Sequence, residues 1–362
     1  MKILFITPFS PDNQGRCVSY TGQLLKELSR NHTIDLVYFR YRNDCTYVPY
    51  NTNINVVLEK VISTKDKIIG MLSLPFIFPL FSSRFNVHIL DFLQRRIEEV
   101  DYDYIYFDFS QTFAYVPYLR HPNKILMSHD VIAQKYSRMK TYLRPWAVAS
   151  EKSLLNRGGV IFTFSEKDSS LLKTLYNIDS YHTTFFLNEN VIRAIPNEDT
   201  DYFVFFGAWG REENLDGLKW FLDNVYDSVP KSIKFKIIGG GLTCAQRERI
   251  KKLPNVEYLG FVDNPYPTIA NAKAEIAPLH MGAGVKVKCV EALGCGTPVI
   301  GTEIAFEGIS YKFNKYMLLA STPEEYVNYI LHFPLSLNDK KRLKEDFISN
   351  YDNKTILNYI NQ

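Results

Sequence analysis

The chain has 362 residues, of which 46% are hydrophobic and 22% are charged. This length allows two ordinary domains with a core each, and the composition is typical of a soluble globular protein. The formal net charge is only +3, so no overall positive field favours nucleic acid as a partner.

The cysteines and the first residues predict a cytosolic chain without a metal centre. The five cysteines are far apart, odd in number and without the spacing of metal ligands, which predicts reduced thiols. The stretch MKILFITPFS has a short apolar run and no small-residue cleavage site, so we interpret it as a first strand rather than a signal peptide. No uninterrupted run of about 20 apolar residues occurs, so no membrane span is expected.

Strands alternate with helices in the first half of the chain, as in parallel α/β sheets. The predicted strands are KILFITPF, TIDLVYF, YDYIYFDF, KILMSHD and VIFTFS, and the predicted helices are SYTGQLLKELSRN, FNVHILDFLQRRIEEV, PWAVASEKSLLNRG and EKDSSLLKTLY. The apolar stretch at 67–85 is interrupted by Pro75 and Pro79. It predicts either a connection that faces the core or a patch that touches a bilayer surface.

The second half repeats this alternation. Its predicted strands are DYFVFFGAW, IKFKIIGGG, NVEYLGFVD, AEIAPLH and TPVIGTE, and its predicted helices are ENLDGLKWFLDNVY and VKVKCVEALGCG. The fold class predicted is therefore α/β, with two Rossmann-like domains that face a cleft. We place the domains at 1–190 and 197–338, and we expect the polar helical segment at about 340–362 to pack back on the first.

Ligands of open parallel sheets bind beyond the carboxyl ends of the strands. Gly15 follows the first predicted strand, and His129 follows the strand KILMS. In the second half, Gly207 and Arg211 follow one strand and Gly240 follows the next. These residues are candidates for a ligand site.

The stretch HMGAGVKVKCVEALGCGTPVIGTE, at 280–303, is the strongest candidate. Its glycines allow close backbone approach, and a helix predicted to begin near Val285 would present unpaired N–H groups and the positive end of its dipole. Lys286 and Lys288 add charge, and Glu291 could accept two ribose hydroxyls. The pattern predicts a phosphate-bearing ligand; the alternative is a tight turn before a surface helix with a solvated Lys288–Glu291 pair.

Several stretches resemble one family. MGAGVKVKCVEALGCGTPVIGTEIAFEGI resembles the nucleotide-sugar site of the retaining family 4 glycosyltransferases, which have the GT-B fold. FVFFGAWGREENLDGLKWFL and KIIGGG resemble the beginning of the donor domain in that family, and ILFITPFSPDNQGRCVSYTGQLLKEL resembles the beginning of its acceptor domain. The resemblance covers most of the chain, is specific in the second half, and is loose between about residues 40 and 125.

The resemblance implies roles around the glycine loop. Glu291 matches the second glutamate of a Glu, seven residues, Glu pattern and would hold the donor ribose. The first glutamate of the pattern falls at Ala283, so the backbone amides would hold the donor instead; these belong to Gly282, Ala283, Gly284 and Val285.

The resemblance also implies where the diphosphate is neutralised. Relatives often carry an Arg and a Lys near the positions of Ala208 and Asn214. Arg211 is shifted from them, so Lys286 and Lys288 are the candidates that neutralise the leaving group.

Two further residues match family positions. Glu307 matches a recurring Glu-Gly, and His129 lies where some relatives carry a histidine that contacts the sugar or the acceptor. The family does not generally need a bound metal.

The resemblance implies an enzyme that moves a sugar from a nucleotide-diphosphate sugar to a hydroxyl acceptor with retention, without a cofactor. We expect His129, Lys288 and Glu291 to be its catalytic residues. Its expected place is the cytoplasm, at the inner face of a bacterial membrane, in the synthesis of cell-surface polysaccharide on a lipid carrier. The alternatives are a nucleotide-sugar epimerase or a phosphorylase of the same fold, or a non-catalytic partner subunit, which the alanine at 283 favours.

Overall fold

The computed structural model describes residues 1–11, 20–139, 141–197, 200–351 and 354–362. The chain forms two compact units. Unit 1 contains Met1–Phe186 and Lys354–Gln362, and unit 2 contains Leu187–Asn353.

Unit 1 is built on a parallel sheet. Among the described residues, seven strands lie in the order β3-β2-β1-β4-β5-β6-β7, and their bounds are Lys2–Thr7 (β1), Thr33–Arg40 (β2), Ile54–Val61 (β3), Tyr104–Asp108 (β4), Lys124–Ser128 (β5), Val160–Thr163 (β6) and Tyr181–His182 (β7). Each strand pairs in parallel with its neighbours. The central strands are buried on both faces because helices cover the sheet on each side, which explains why they are apolar almost throughout.

The helices of unit 1 that precede β7 are Tyr20–Leu28 (α1), Thr64–Ser73 (α2), Pro79–Ser82 (α3), Val87–Glu99 (α4), Ile132–Arg138 (α5), Arg144–Leu155 (α6) and Glu166–Tyr176 (α7), with a 3₁₀ segment at Ser110–Tyr118. The apolar stretch at 67–85 is partly buried in the core and partly exposed. Phe78, Phe81 and Phe85 are buried in the core, whereas Leu72 and Phe76 are exposed.

Unit 2 contains a second parallel sheet. Its six strands, among the described residues, lie in the order β10-β9-β8-β11-β12-β13, with bounds Tyr202–Phe206 (β8), Lys234–Ile238 (β9), Val256–Gly260 (β10), Glu275–Ala277 (β11), Val299–Gly301 (β12) and Met317–Leu319 (β13). Its helices are Glu189–Arg193 (α8), Glu212–Asn224 (α9), Cys244–Lys251 (α10), Tyr266–Asn271 (α11), Val287–Gly294 (α12), Pro323–Leu331 (α13) and Leu337–Tyr351 (α14), with 3₁₀ turns at Tyr226–Ser228 and Tyr311–Tyr316.

The predicted α/β class with two Rossmann-like domains is confirmed by these two sheets. In each sheet the strand order changes direction once, between β1 and β4 in unit 1 and between β8 and β11 in unit 2. Ligands of open α/β sheets bind in the crevice at such a switch point, outside the carboxyl ends of the strands. The strand order therefore selects two places in the chain for a site, one in each unit.

The C-terminal segment differs from its prediction. Helix α14 belongs to unit 2, where Leu343 and Phe347 are completely buried in the core. Its Lys344 ammonium donates hydrogen bonds to the carbonyl oxygens of Val191 (2.6 Å) and Gly294 (2.9 Å), at the ends of α8 and α12. Only Lys354–Gln362, with helix Thr355–Ile360 (α15), belongs to unit 1. The correction has a physical cause: the apolar side of α14 fits the surface that α12 presents.

Candidate functional site

The loop between β11 and α12 lies at the switch point of unit 2. Gly282 has φ 110° and Gly284 has φ 68°, values that residues with a Cβ rarely adopt. Lys286 is still extended, so α12 begins at Val287, two residues later than predicted. The glycines that the sequence suggested for close approach thus turn the chain into the helix.

The beginning of α12 presents free donors. Within the described part of the chain, the backbone N–H groups of Val287 and Lys288 have no acceptor. Such N–H groups and the positive end of the helix dipole bind phosphate readily. This geometry agrees with the predicted phosphate site.

The sequence led us to expect that the Lys286 side chain would extend toward a ligand. In the structure it turns back onto its own loop. Its ammonium donates hydrogen bonds to the carbonyl oxygens of Ala283 (3.0 Å) and Gly284 (2.6 Å), and it lies 3.9 Å from the Glu307 carboxylate. Both charged side chains are largely buried. These contacts hold the glycine loop in its turn, and the donor contacts predicted for Lys286 and Glu307 stay predictions.

Lys288 is the lysine of this loop whose ammonium remains available. It is half-buried, and no hydrogen bond or ion pair to its side chain is found among the described residues. Its charge lowers the pKa of the nearby Glu275 carboxyl. A free ammonium beside the open turn of α12 adds full positive charge to the same place.

Glu291 lies one turn further along α12 and is almost completely buried. Its Oε1 accepts a hydrogen bond from the Tyr266 hydroxyl (2.9 Å), whereas its Oε2 has no partner among the described residues. Burial raises the pKa of Glu291 to about 7, against a lowering by the Tyr266 hydroxyl. A buried carboxylate oxygen without a donor is costly unless a ligand hydroxyl satisfies it.

A second buried carboxyl, Glu275 on β11, lies beneath the same helix. Neither of its oxygens has a hydrogen-bond partner among the described residues. Burial raises the pKa of Glu275 to about 8; the charge of Lys288 lowers it and that of Glu291 raises it. No sequence pattern indicates this residue, because a glutamate within a short strand is usually at the surface.

The two other glycine loops of unit 2 pack on each other. A Cβ at Gly239 would lie 1.9 Å from the carbonyl oxygen of Gly207, and the Trp209 N–H donates to the Gly240 carbonyl oxygen (2.8 Å). A Cβ at Gly207 would meet the amide of Asn214 at 3.1 Å. Gly207 is thus placed by backbone packing, and it lies at the same edge of the sheet as the loop after β11.

Two exposed residues border these loops. Arg211 precedes α9, and its guanidinium lies 3.8 Å from the Glu213 carboxylate with most of its surface in solvent. Phe261 follows β10, lies against Gly240 and is 55% exposed. Sequence reasoning missed Phe261 because it lies within the predicted strand NVEYLGFVD, whereas β10 ends at Gly260. Its free face suits a planar ring.

The switch point of unit 1 is occupied by Asp108, which sequence reasoning also missed. This completely buried carboxylate ends β4 and accepts hydrogen bonds from Thr7 (2.9 Å), Thr21 (2.5 Å) and His129 Nε2 (2.7 Å). The three donors come from β1, α1 and the end of β5. A polar residue at the end of an apolar strand was the signal that could have revealed it.

Asp108 fixes the orientation of His129. Since a carboxylate only accepts, the Nε2 atom carries the proton, and Nδ1 makes no hydrogen bond to a described residue. The imidazole stacks on the Phe109 ring at 3.3 Å between centroids, and Phe109 has the uncommon φ of 60°. Such a backbone conformation persists only where its surroundings impose it, and it is frequent at functional sites.

The remaining predictions concern Gly15 and metals. Gly15 lies outside the described residues. Among the residues that the structure does describe, there is no group of three His, Cys, Asp or Glu side chains able to hold a metal ion. Among the same residues, no helix is long and apolar enough to cross a bilayer.

Comparison with known proteins gives a family for part of unit 2. Residues 200–333 match the family described as glycosyl transferases group 1. A curated relative from Klebsiella pneumoniae, described as an uncharacterized 44.6 kDa protein in the cps region, is 25% identical over 172 residues. That match spans 43% of this chain and 44% of the relative's length.

Solved structures agree with the fold over the whole chain. Sucrose-phosphate synthase from Thermosynechococcus elongatus is similar with a TM-score of 0.71 and 13% identity, over 100% of this chain and 98% of its own. HepE from Anabaena, in complex with UDP and glucose, is similar with a TM-score of 0.65 and 13% identity, over 100% of both chains. At such identities the likeness shows the fold alone, and that fold is GT-B.

The buried carboxyl of Glu275 leads to a prediction for stability. The folded state binds more protons than the unfolded state between the ordinary pKa of 4.5 and about 8, so the free energy of unfolding falls as the pH rises through this range. Glu275→Gln should remove that loss and raise the melting temperature at pH 9 by about 2–4 °C for each kcal/mol recovered. Calorimetric scans at pH 5.5 and pH 9 measure the difference. The exposed Glu303→Gln is the control, and an equal loss in wild type and Glu275→Gln would contradict the assignment.

A second prediction concerns Asp108 as the residue that positions His129. Asp108→Asn should lower the rate of any reaction that uses His129 by about 10²-fold, because the imidazole loses its fixed tautomer. Ligand binding at the loop after β11 should not change. Asp35→Asn is the matched control, since Asp35 is also buried and accepts hydrogen bonds from Tyr102 and Arg96. If both variants affect only stability, Asp108 has no part in catalysis.

Proposed function

We propose that this chain, whose residues 200–333 form a glycosyl transferases group 1 domain, transfers a sugar from a nucleotide-diphosphate sugar to a hydroxyl acceptor with retention. One observation carries the proposal. In the described part of the chain, the buried Glu291 has one oxygen without a donor, one helical turn from the N–H groups of Val287 and Lys288, which have no acceptor there. A ribose with two hydroxyls next to a diphosphate satisfies both needs at once.

The diphosphate would bind at the beginning of α12. The N–H groups of Val287 and Lys288 and the ammonium of Lys288 supply donors and positive charge. As the bond to the sugar breaks, negative charge develops on the leaving diphosphate, and these fixed donors stabilise it without reorganisation. The chemical requirement of the reaction is therefore met by the chain itself, so we propose that no metal or other cofactor takes part.

The nucleobase would lie beyond the ribose. Phe261, exposed beside Gly240, offers a ring on which a base can stack. Arg211 is solvated at the same edge of unit 2 and remains a candidate for contact with the donor. The UDP in the HepE complex supports a uridine nucleotide as the first donor to try.

Retention needs either a covalent intermediate or attack on the same face of the sugar from which the leaving group departs. The position at which relatives carry a carboxylate near the sugar holds Ala283 here. We therefore propose front-face attack, in which the acceptor hydroxyl passes its proton to the leaving diphosphate oxygen. The backbone of Gly282–Val285 would hold the sugar.

In unit 1, we propose that His129 contacts the sugar or the acceptor. Its Nδ1 atom can accept a hydrogen bond from a hydroxyl while Asp108 holds Nε2. A fixed acceptor orients the hydroxyl and so reduces the entropy that the transition state must lose. The interaction would therefore contribute more to the rate of transfer than to donor binding.

The relative in a cps region supports a role in bacterial cell-surface polysaccharide synthesis. The acceptor would then be a sugar or a glycan on a lipid carrier, and the enzyme would act in the cytoplasm at the inner face of the membrane. The genomic setting of the relative is the support for this part of the proposal.

The site predicts the effect of two substitutions on nucleotide binding. Lys288→Ala and Glu291→Gln should each weaken nucleoside diphosphate binding by about 10–100-fold, because a hydrogen bond to a charged group contributes about 1.5–3 kcal/mol. Isothermal titration with UDP, GDP and ADP measures the change and identifies the base. Exposed Lys312→Ala and Glu303→Gln are controls of the same chemistry in the same unit. Unchanged affinity in both site variants would contradict the site.

The reaction itself is tested with the nucleotide sugar that binds best. The expected product carries the sugar in the anomeric configuration of the donor, which NMR of the purified product reads directly; the opposite configuration would contradict retention. Isomerised donor without an acceptor would indicate an epimerase instead. Tight nucleotide binding without turnover, across acceptors of several classes, would indicate a non-catalytic partner subunit.

A further inference from the structure

Unit 1 exposes apolar side chains on two neighbouring segments, α2 with the loop that follows it, and the stretch from the end of α5 to the first turn of α6. Phe76 is 88% exposed, Tyr142 is 90% exposed and Leu72 is 73% exposed. We call this surface the apolar face; its residues are Ile68, Leu72, Phe76, Met139, Tyr142 and Trp146. Large apolar side chains grouped in this way mark a surface that another body covers.

The two elements are held together. The Trp146 Nε1–H donates to the carbonyl oxygen of Phe76 (2.8 Å), and the Phe78 N–H donates to Ser150 Oγ (2.9 Å). The Phe78 ring packs against the rings of Trp146 and Tyr136, at 5.3 and 4.9 Å between centroids. The loop after α2 is thus fixed to the core by Phe78 while Phe76, two residues earlier, faces solvent. Phe76 is therefore held in an exposed position by the folded structure.

Charges around the apolar face have one sign. Residues 67–90 contain no Asp or Glu, and neither do residues 131–150. Of the acids next to these stretches, Asp66 pairs with Lys60 and Glu151 is buried, while Asp130 is half-buried and Asp91, on α4, is exposed. The exposed cations are Lys65 on α2 and Arg144 at the beginning of α6, and Lys67, Lys135 and Arg138 are partly exposed.

We propose that the apolar face docks on the surface of an anionic lipid bilayer. Trp and Tyr prefer the boundary between headgroups and acyl chains, aliphatic side chains enter the acyl region, and Lys and Arg are attracted to anionic headgroups. A rim of exposed cations, in which the two acids Asp66 and Glu151 are paired or buried, complements a surface that is uniformly negative. A folded protein partner would instead be expected to meet some acids for its own lysines and arginines.

The inference concerns unit 1 alone. It names the surface through which an enzyme of the proposed function would reach an acceptor on a lipid carrier, but the transfer reaction does not depend on it. Because the nucleotide site lies in unit 2, loss of vesicle binding and loss of nucleotide binding are separate results.

The test uses the full chain and vesicles of phosphatidylcholine, with and without phosphatidylglycerol. The protein should float with the anionic vesicles, with an affinity about ten-fold or more above that for neutral ones. The triple variant Leu72→Ser, Phe76→Ser and Tyr142→Ser should lose at least about ten-fold of this affinity, as should Lys65→Glu with Arg144→Glu. All five positions are exposed, so the fold should tolerate these changes, and the circular dichroism spectrum and melting temperature of each variant check it.

Matched controls separate the apolar face from apolar exposure in general. Val48→Ser in unit 1 and Tyr311→Ser in unit 2 remove side chains that are 72% and 86% exposed elsewhere, and they should leave vesicle binding unchanged. Trp146 fluorescence should shift to shorter wavelength with anionic vesicles, and the shift should be absent in Trp146→Phe. Failure of the wild type to float, equal flotation of the triple variant, or self-association of the chain through this face would each overturn the proposal.

Discussion

A carboxylate buried beside an open helix end is the constraint on which the site in unit 2 depends. Glu291 loses hydration when the domain folds, and among the described residues Tyr266 alone donates a hydrogen bond to its carboxylate, at one oxygen. One turn earlier, the first N–H groups of α12 also lack an acceptor within that part of the chain. Acceptor and donors therefore lie unsatisfied on the same short helix, and a ligand with hydroxyls and phosphates can satisfy both. Because unpaired buried polar groups cost free energy, a ligand that pairs both the carboxylate and the N–H groups is favoured over one that pairs only one of them.

The surrounding loops keep this arrangement rigid. Lys286 resembles a ligand-binding residue in the sequence, yet it is bonded to the carbonyl oxygens of its own loop and faces Glu307. The loops at Gly207 and Gly239 are in backbone contact, which no side chain at Gly239 would permit. Part of the glycine and charge pattern therefore also builds the edge of the sheet.

The two units use the same device at their switch points. Asp108 in unit 1 collects three donors and fixes His129, while Glu291 in unit 2 keeps an oxygen free. Both acids are buried where the strand order reverses, because this is where loops diverge and leave room among apolar elements. Asp108 has its hydrogen bonds satisfied and positions His129, whereas Glu291 has an oxygen that a ligand would satisfy. The number of donors around each acid decides between these roles.

The sequence by itself determined the class of the fold, since apolar strands alternate with helices in both halves. It also predicted His129 directly after a strand, and Lys288 and Glu291 on the helix that follows the glycine loop. It could not show which of these groups are already satisfied. Asp108, Tyr266 and Glu275 each lie near groups that are distant from them in the sequence. Which groups these are follows from strand order and packing, which local patterns do not encode. Tertiary structure likewise decided that α14 packs in unit 2, because an amphipathic helix specifies an apolar face but not the surface that covers it.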